Sequence, residues 1–153
     1  MQGTYKYIIL EDIQLIVIQF QQEITYEGLK NFVKIILLNE SLSPMYKMLI
    51  DLRDSQIKIA ISEIEKFSNL MHNNVAIFES SVVSILTKTP DQVTKAIIYS
   101  YSSNNRNKNC KVFSTLEIAI HNLNISFLNF ESVKNEIMKM RKENHPKKTL
   151  NIV

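Results

Sequence analysis

The stretch 13–20, IQLIVIQF, constrains this chain more than any other. Large apolar side chains stand at both odd and even positions, and most are β-branched or aromatic. Alternate residues of a strand point to opposite faces. Ile16, Ile18 and Phe20 therefore need cover on one side, and Leu15 and Val17 on the other. A strand that is apolar on both faces belongs inside a sheet whose two sides are both covered. The preceding run, YKYIIL (5–10), has the same character, and only Glu11 and Asp12 separate the two. The pair predicts a β-hairpin with a two-residue polar joint that lacks the usual glycine.

Downstream, the apolar period alternates between two and about 3.6 residues. Thr25 can cap a helix over 25–39 with Leu29, Phe32, Val33, Ile36 and Leu37 as its stripe, and Ser43 and Pro44 end it. Residues 46–52 read as a strand. Ser62 opens a helix with Ile64, Phe67 and Met71 inward, and 73–80 fits helix or loop. A short strand over 82–87 precedes a helix from Pro90 bearing Val93, Ala96, Ile97 and Tyr101. After a polar loop (102–109), strand 110–113 leads to a helix striped by Leu116, Ala119, Ile120 and Leu123. The order ββαβαβαβα predicts an α/β fold, a mixed and mostly parallel sheet with helices on both faces. Ser62/Glu65, Thr89/Gln92 and Ser114/Glu117 are each spaced as a capping box, in which a hydroxyl and a carboxylate or amide satisfy orphan backbone N–H groups. Residues 1–124 make the domain; 125–153 add a C-terminal amphipathic helix (130–143) and a loose tail.

Several chemistries are excluded. A phosphate-cradling loop needs glycines so that backbone can approach phosphate, and this chain has only Gly3 and Gly28. His72, His121 and His145 stand far apart, so no metal-ligand spacing and no cofactor are expected. Cys110 opens a strand and reads as a buried thiol rather than a nucleophile. The net charge of +3 comes from 131–148, leaving a neutral body unsuited to nucleic acid. No apolar run is long enough to cross a membrane. A single cysteine and a start without a signal-peptide pattern point to the cytoplasm.

The densest polar cluster is Asp51, Arg53, Asp54 and Ser55, placed where a strand is expected to end. The carboxyl ends of parallel strands carry ligand sites. Thr87 and Thr89 should reach the same edge from the next strand, and Ser114 from the last. Functionally this is a polar rim for a partner or ligand. Structurally, Asp51 and Asp54 can cap turns, Arg53 can pair with either, and the hydroxyls can serve as helix caps.

Three segments carry a family resemblance. MYKMLIDLRDSQI (45–57) is similar to the Asp-ended strand and loop of the STAS-like superfamily. SILTKTPDQVTKAI (84–97) resembles its strand, Thr-Pro and helix unit, and KVFSTLEIAIHNL (111–123) its closing strand and helix. The superfamily includes anti-sigma-factor antagonists and resembles, more distantly, CRAL-TRIO lipid-binding domains. The resemblance implies protein contacts or small-ligand binding rather than catalysis. It places the family's phosphorylation position at Ser62, but the Asp-Ser-Ser/Thr-Gly motif around it is replaced by Ala60-Ile61-Ser62-Glu63-Ile64. Asn122 stands where the family usually has Trp.

The expectation is a non-enzymatic STAS-like interaction module in bacterial regulation, with a protein partner. The alternative is a binder of a small apolar or amphipathic, lipid-like ligand in a pocket between sheet and helices. In the last helix Phe130, Val133, Ile137 and Met140 fall on one stripe, which must be buried against something. If the earlier helices already cover both sheet faces, that stripe is the seam of a homodimer.

Overall fold

The computed structural model describes residues 4–38, 45–74, 81–104 and 109–143. Ser43 and Pro44, residues 75–80 of the 73–80 segment, residues 105–108 of the 102–109 segment, residues 144–153 and the side chains of Ile36 and Leu37 lie outside that set. The hairpin forms as β1 (Thr4–Leu10) and β2 (Leu15–Ile24), antiparallel with Leu10 opposite Leu15. Its joint is four residues rather than two. Glu11–Ile13 make a 3-10 turn, and Gln14 takes the left-handed conformation (φ 50°) usually left to glycine. Then follow α1 (Tyr26–Leu37), β3 (Lys47–Ile57), α2 (Ile61–Asn74), β4 (Val83–Leu86), α3 (Pro90–Asn104), β5 (Cys110–Phe113), α4 (Leu116–Asn122) and α5 (Phe130–Lys142).

The strand order is β1-β2-β3-β4-β5, with β2 through β5 parallel. Each crossover steps to the next strand in the same direction. Right-handed crossovers that all step one way put their helices on one face. The core divides accordingly. Ile16, Ile18 and Phe20 pack with Leu29, Phe32 and Val33 of α1, Ile64, Phe67 and Met71 of α2, and Ala96 of α3. Leu15, Val17, Ile8 and Leu49 pack on the other side with α4 and α5.

This division corrects the expected seam. Phe130, Val133, Ile137 and Met140 are all buried in the second cluster, on the sheet of their own chain. The short α4 covers only part of that face, and α5 covers the remainder. Its end is clamped by Lys6 of β1, itself buried, whose Nζ donates to the carbonyl of Met140 (2.5 Å) and to that of Glu143.

Helix starts differ from expectation in two of three cases. Thr89/Gln92 forms its box: the Thr89 hydroxyl accepts from Gln92 N–H (3.3 Å) and Gln92 Oε1 accepts from Thr89 N–H (3.1 Å). Ser62 does not cap α2. Ala60 precedes the helix, and Glu63 reaches back to its N–H (2.9 Å), leaving Ser62 exposed on the first turn. Ser114 does not cap α4, whose N-cap is Thr115 with no side-chain hydrogen bond. The inward side of α3 also differs. Gln92, Ala96 and Ser100 are buried, whereas Ile97 and Tyr101 are 40% and 73% exposed. The reason is Gln92, whose amide reaches the sheet and so rotates those two side chains outward.

Candidate functional site

The chemistry gathers on β3. This strand was expected to stop at Leu52, but it continues to Ile57 beside β2, while β4 ends opposite Asp51. Arg53, Asp54 and Ser55 are therefore strand residues projecting past the carboxyl ends of β4 and β5. The pairing slips between Gln19↔Asp51 and Gln21↔Asp54, so β3 holds one residue more than β2 there. An extra residue in one strand re-aims the side chains that follow it. Asp51 and Asp54, three apart, consequently both sit opposite glutamines of the same β2 face, the one that α5 covers.

Asp51 is fully buried. Its carboxylate accepts from Arg53 Nε and Nη2, both at 2.9 Å, and from the Arg53 backbone N–H at 3.1 Å. A bidentate guanidinium–carboxylate pair is the strong form of this interaction. Arg141 arrives from the last turn of α5. Its Nε lies 2.7 Å from Asp54 Oδ2, off the hydrogen-bonding direction, and its Nη2 lies 3.6 Å from Asp51 Oδ2. Gln19 Nε2 donates to Asp54 Oδ2 at 3.5 Å. The hydrogen bonds to Asp51 hold the Arg53 guanidinium above its usual pKa, against the opposing effect of burial; the charges of Asp51, Asp54 and Glu117 add to this. Arg53, Asp54 and Arg141 keep 20%, 39% and 33% of their side chains in solvent, so the cluster presents cationic and anionic heads side by side.

The other expected rim residues are spent on structure. The Ser55 hydroxyl donates to the Leu52 carbonyl (2.7 Å). Thr87 is buried and donates to the Phe113 carbonyl (3.2 Å). Thr89 caps α3, and Ser114 is exposed just beyond β5. Nothing in the sequence points to Arg141, which falls off the apolar stripe of α5 and far from Asp51 in the chain. Nor does the sequence show the role of Gln92, whose Nε2 donates to the carbonyls of Leu52 and Ser55 (both 2.7 Å), on either side of Arg53 and Asp54. The capping-box spacing marked Gln92 as special but could not show its second task. Cys110 is buried, and burial pushes its thiol up to about 12, with a hydrogen bond to Ser100 opposing. It is no nucleophile at neutral pH. Among the described residues no cluster of His, Cys, Asp or Glu could hold a metal ion, and no helix is long and apolar enough to cross a membrane.

The opposite side of the same strand is apolar. A cavity of about 90 Å³ lies between the sheet and α1, α2 and α3, walled by Phe20, Leu52, Ile64, Phe67, Ala96 and Tyr99 among others. Its one charged wall residue is Lys95.

No family model matches the chain, and no curated protein matches it. Solved structures share its fold, among them two at TM-scores above 0.5. One is an uncharacterized protein of the DUF3478 family with a SpoIIAA-like fold from Shewanella loihica PV-4, at a TM-score of 0.54 and 13% identity over 80% of this chain and 94% of the other. The second is an anti-sigma factor antagonist from Mycobacterium paratuberculosis, at 0.51 and 13% over 80% and 96%. The chain thus has a SpoIIAA-like fold, in line with the α/β order read from its sequence.

Proposed function

We propose that this protein is a non-catalytic regulatory module of the bacterial cytoplasm, and that it binds a protein partner through the Asp51/Arg53/Asp54/Arg141 cluster. The observation that carries the reading is the cluster itself: Arg53 and Asp54, partly exposed on a strand that overhangs its neighbours, with buried Asp51 beneath them and Arg141 reaching in from α5. Its charges are already paired, so it holds no free base or nucleophile and is suited to recognition rather than reaction. A partner can exchange its own charged side chains with the exposed heads of Arg53, Asp54 and Arg141. The fold shared with an anti-sigma factor antagonist supports a regulatory protein contact. Self-association through the Phe130–Met140 stripe forms no part of this reading, because that stripe is buried.

The test is affinity capture from cells with the wild type, Arg53→Ala and Asp54→Asn, followed by titration calorimetry on the protein retained. The wild type should bind one partner that Arg53→Ala binds more weakly at a temperature where both are folded, and Asp54→Asn, at the partly exposed pair, should weaken binding of the same partner with little loss of stability. Equal affinity for all three would remove the cluster from the interface. A second reading, a binder of small apolar or amphipathic ligands, is favoured by the cavity between sheet and helices.

A further inference from the structure

Protein interiors are close-packed, with few voids larger than a water molecule. The cavity against α1, α2 and α3 is such a void. Its named walls are apolar apart from Lys95 and the Tyr99 hydroxyl, so a water inside would find few hydrogen-bond partners; a larger apolar cavity of about 150 Å³ stays dry and takes up apolar guests instead. Lys95 supplies the second half of the argument. Its side chain is 20% exposed, so the wall opens to solvent there, and its Nζ donates to the Ile57 carbonyl (2.6 Å). The same ammonium pairs with Asp91 at 3.0 Å, one turn earlier on α3, and the Asp91 side chain is 61% exposed. Such an exposed i,i+4 pair is weak and exchangeable. An incoming carboxylate can take the place of Asp91 on Lys95. Asp91 then turns to water while still lying in the first turn of α3, where the helix dipole favours negative charge.

We infer that this cavity is a binding site for a small monoanionic amphiphile, of the short fatty-acid type. The apolar tail lies among Leu52, Phe67 and Ala96, and the carboxylate sits on Lys95. This rests on the ligand-binding reading above and names its ligand class.

Calorimetric titration of the full chain with hexanoate, hexanol and hexylammonium tests both levels. Hexanoate should bind about tenfold more tightly than hexanol, and hexylammonium most weakly. Lys95→Met should reduce hexanoate to the level of hexanol and leave hexanol unchanged. Ala96→Leu, which fills the cavity, should abolish binding of all three; Ala96→Val is the smaller filling change if the leucine variant does not fold. Hexanol binding as tightly as hexanoate overturns the anionic class but keeps the pocket. Hexanoate binding that survives cavity filling, or no saturable binding of any probe, overturns the ligand site altogether.

Discussion

At the scale of single residues, cost follows burial more than charge. Asp51 is enclosed between two guanidinium groups, and Asp51→Asn leaves both without a full counter-charge. The loss should be about 3 kcal/mol, measured by urea unfolding. Asp54→Asn, at a partly exposed pair, should cost less than about 1 kcal/mol. A reversed order would mean that Asp51 is not the anchor. Gln92 acts on both its neighbours through one amide: Oε1 accepts from the N–H groups of Lys88 and Thr89, and Nε2 donates to Leu52 and Ser55. Gln92→Glu keeps the acceptor and removes the donor, so the Ser55 carbonyl loses this donor and the Leu52 carbonyl keeps only the Ser55 hydroxyl, both beside a buried carboxylate. It should destabilise more than Thr89→Ala, whose cost is about 1 kcal/mol. Ser62→Ala should change stability by less than about 0.5 kcal/mol, since Ser62 is exposed and caps nothing. Cys110 gives a pH test. Its thiol is raised in the folded state, so its contribution is complete below the ordinary value of 9.0 and is lost as pH rises toward about 12. Unfolding midpoints across that window should fall more steeply for the wild type than for Cys110→Ala.

At the scale of elements, the sequence was a good guide where one side chain pattern has one solution. The two-faced run around Ile16–Phe20 demanded cover on both sides, and the structure supplies it. Pro90 after Thr89 marked a helix start that forms as expected. The misreadings share a physical cause, which is that tertiary contacts overrode local spacing. Ser62 and Ser114 have capping-box spacing, but each helix begins elsewhere. Arg53, Asp54 and Ser55 look like loop residues, yet β2 continues alongside and draws them into β3. The bulge that brings Asp51 and Asp54 to one face depends on pairing with β2, which no local window contains. Arg141 reaches the cluster only because α5 docks on its own sheet, and that followed from strand order rather than from the stripe. The stripe also makes a prediction at this scale. Val133→Glu with Ile137→Glu would leave a folded monomer if the helix were a dimer seam. Buried as these residues are, the pair should instead abolish the near-UV circular dichroism of the fold, and Ile137→Ala alone should cost about 3 kcal/mol. Lys6→Met should cost about 1 kcal/mol, because it leaves the carbonyls of Met140 and Glu143 without their donor.

At the scale of the whole molecule, β3 stands between two surfaces of opposite character. Leu52 and Ile57 line the apolar cavity on one side, while Asp51 and Asp54 hold the charged cluster on the other. Strand order adds a consequence in time. Because every strand neighbours the one before it in sequence, the sheet can grow as the chain leaves the ribosome, at about 5–20 residues per second. The crossover helices arrive between their strands, so the first face is covered as it forms. The second face waits. Ile8, Leu15 and Val17 are among the earliest residues made, yet the helix that covers them is the last. A chain cut just before Phe130 and free of the ribosome should therefore carry all five strands but a second face that α4 covers only in part. Such a truncated chain should be held by a chaperone that binds exposed apolar surface, and a chain that includes the helix through Lys142 should not.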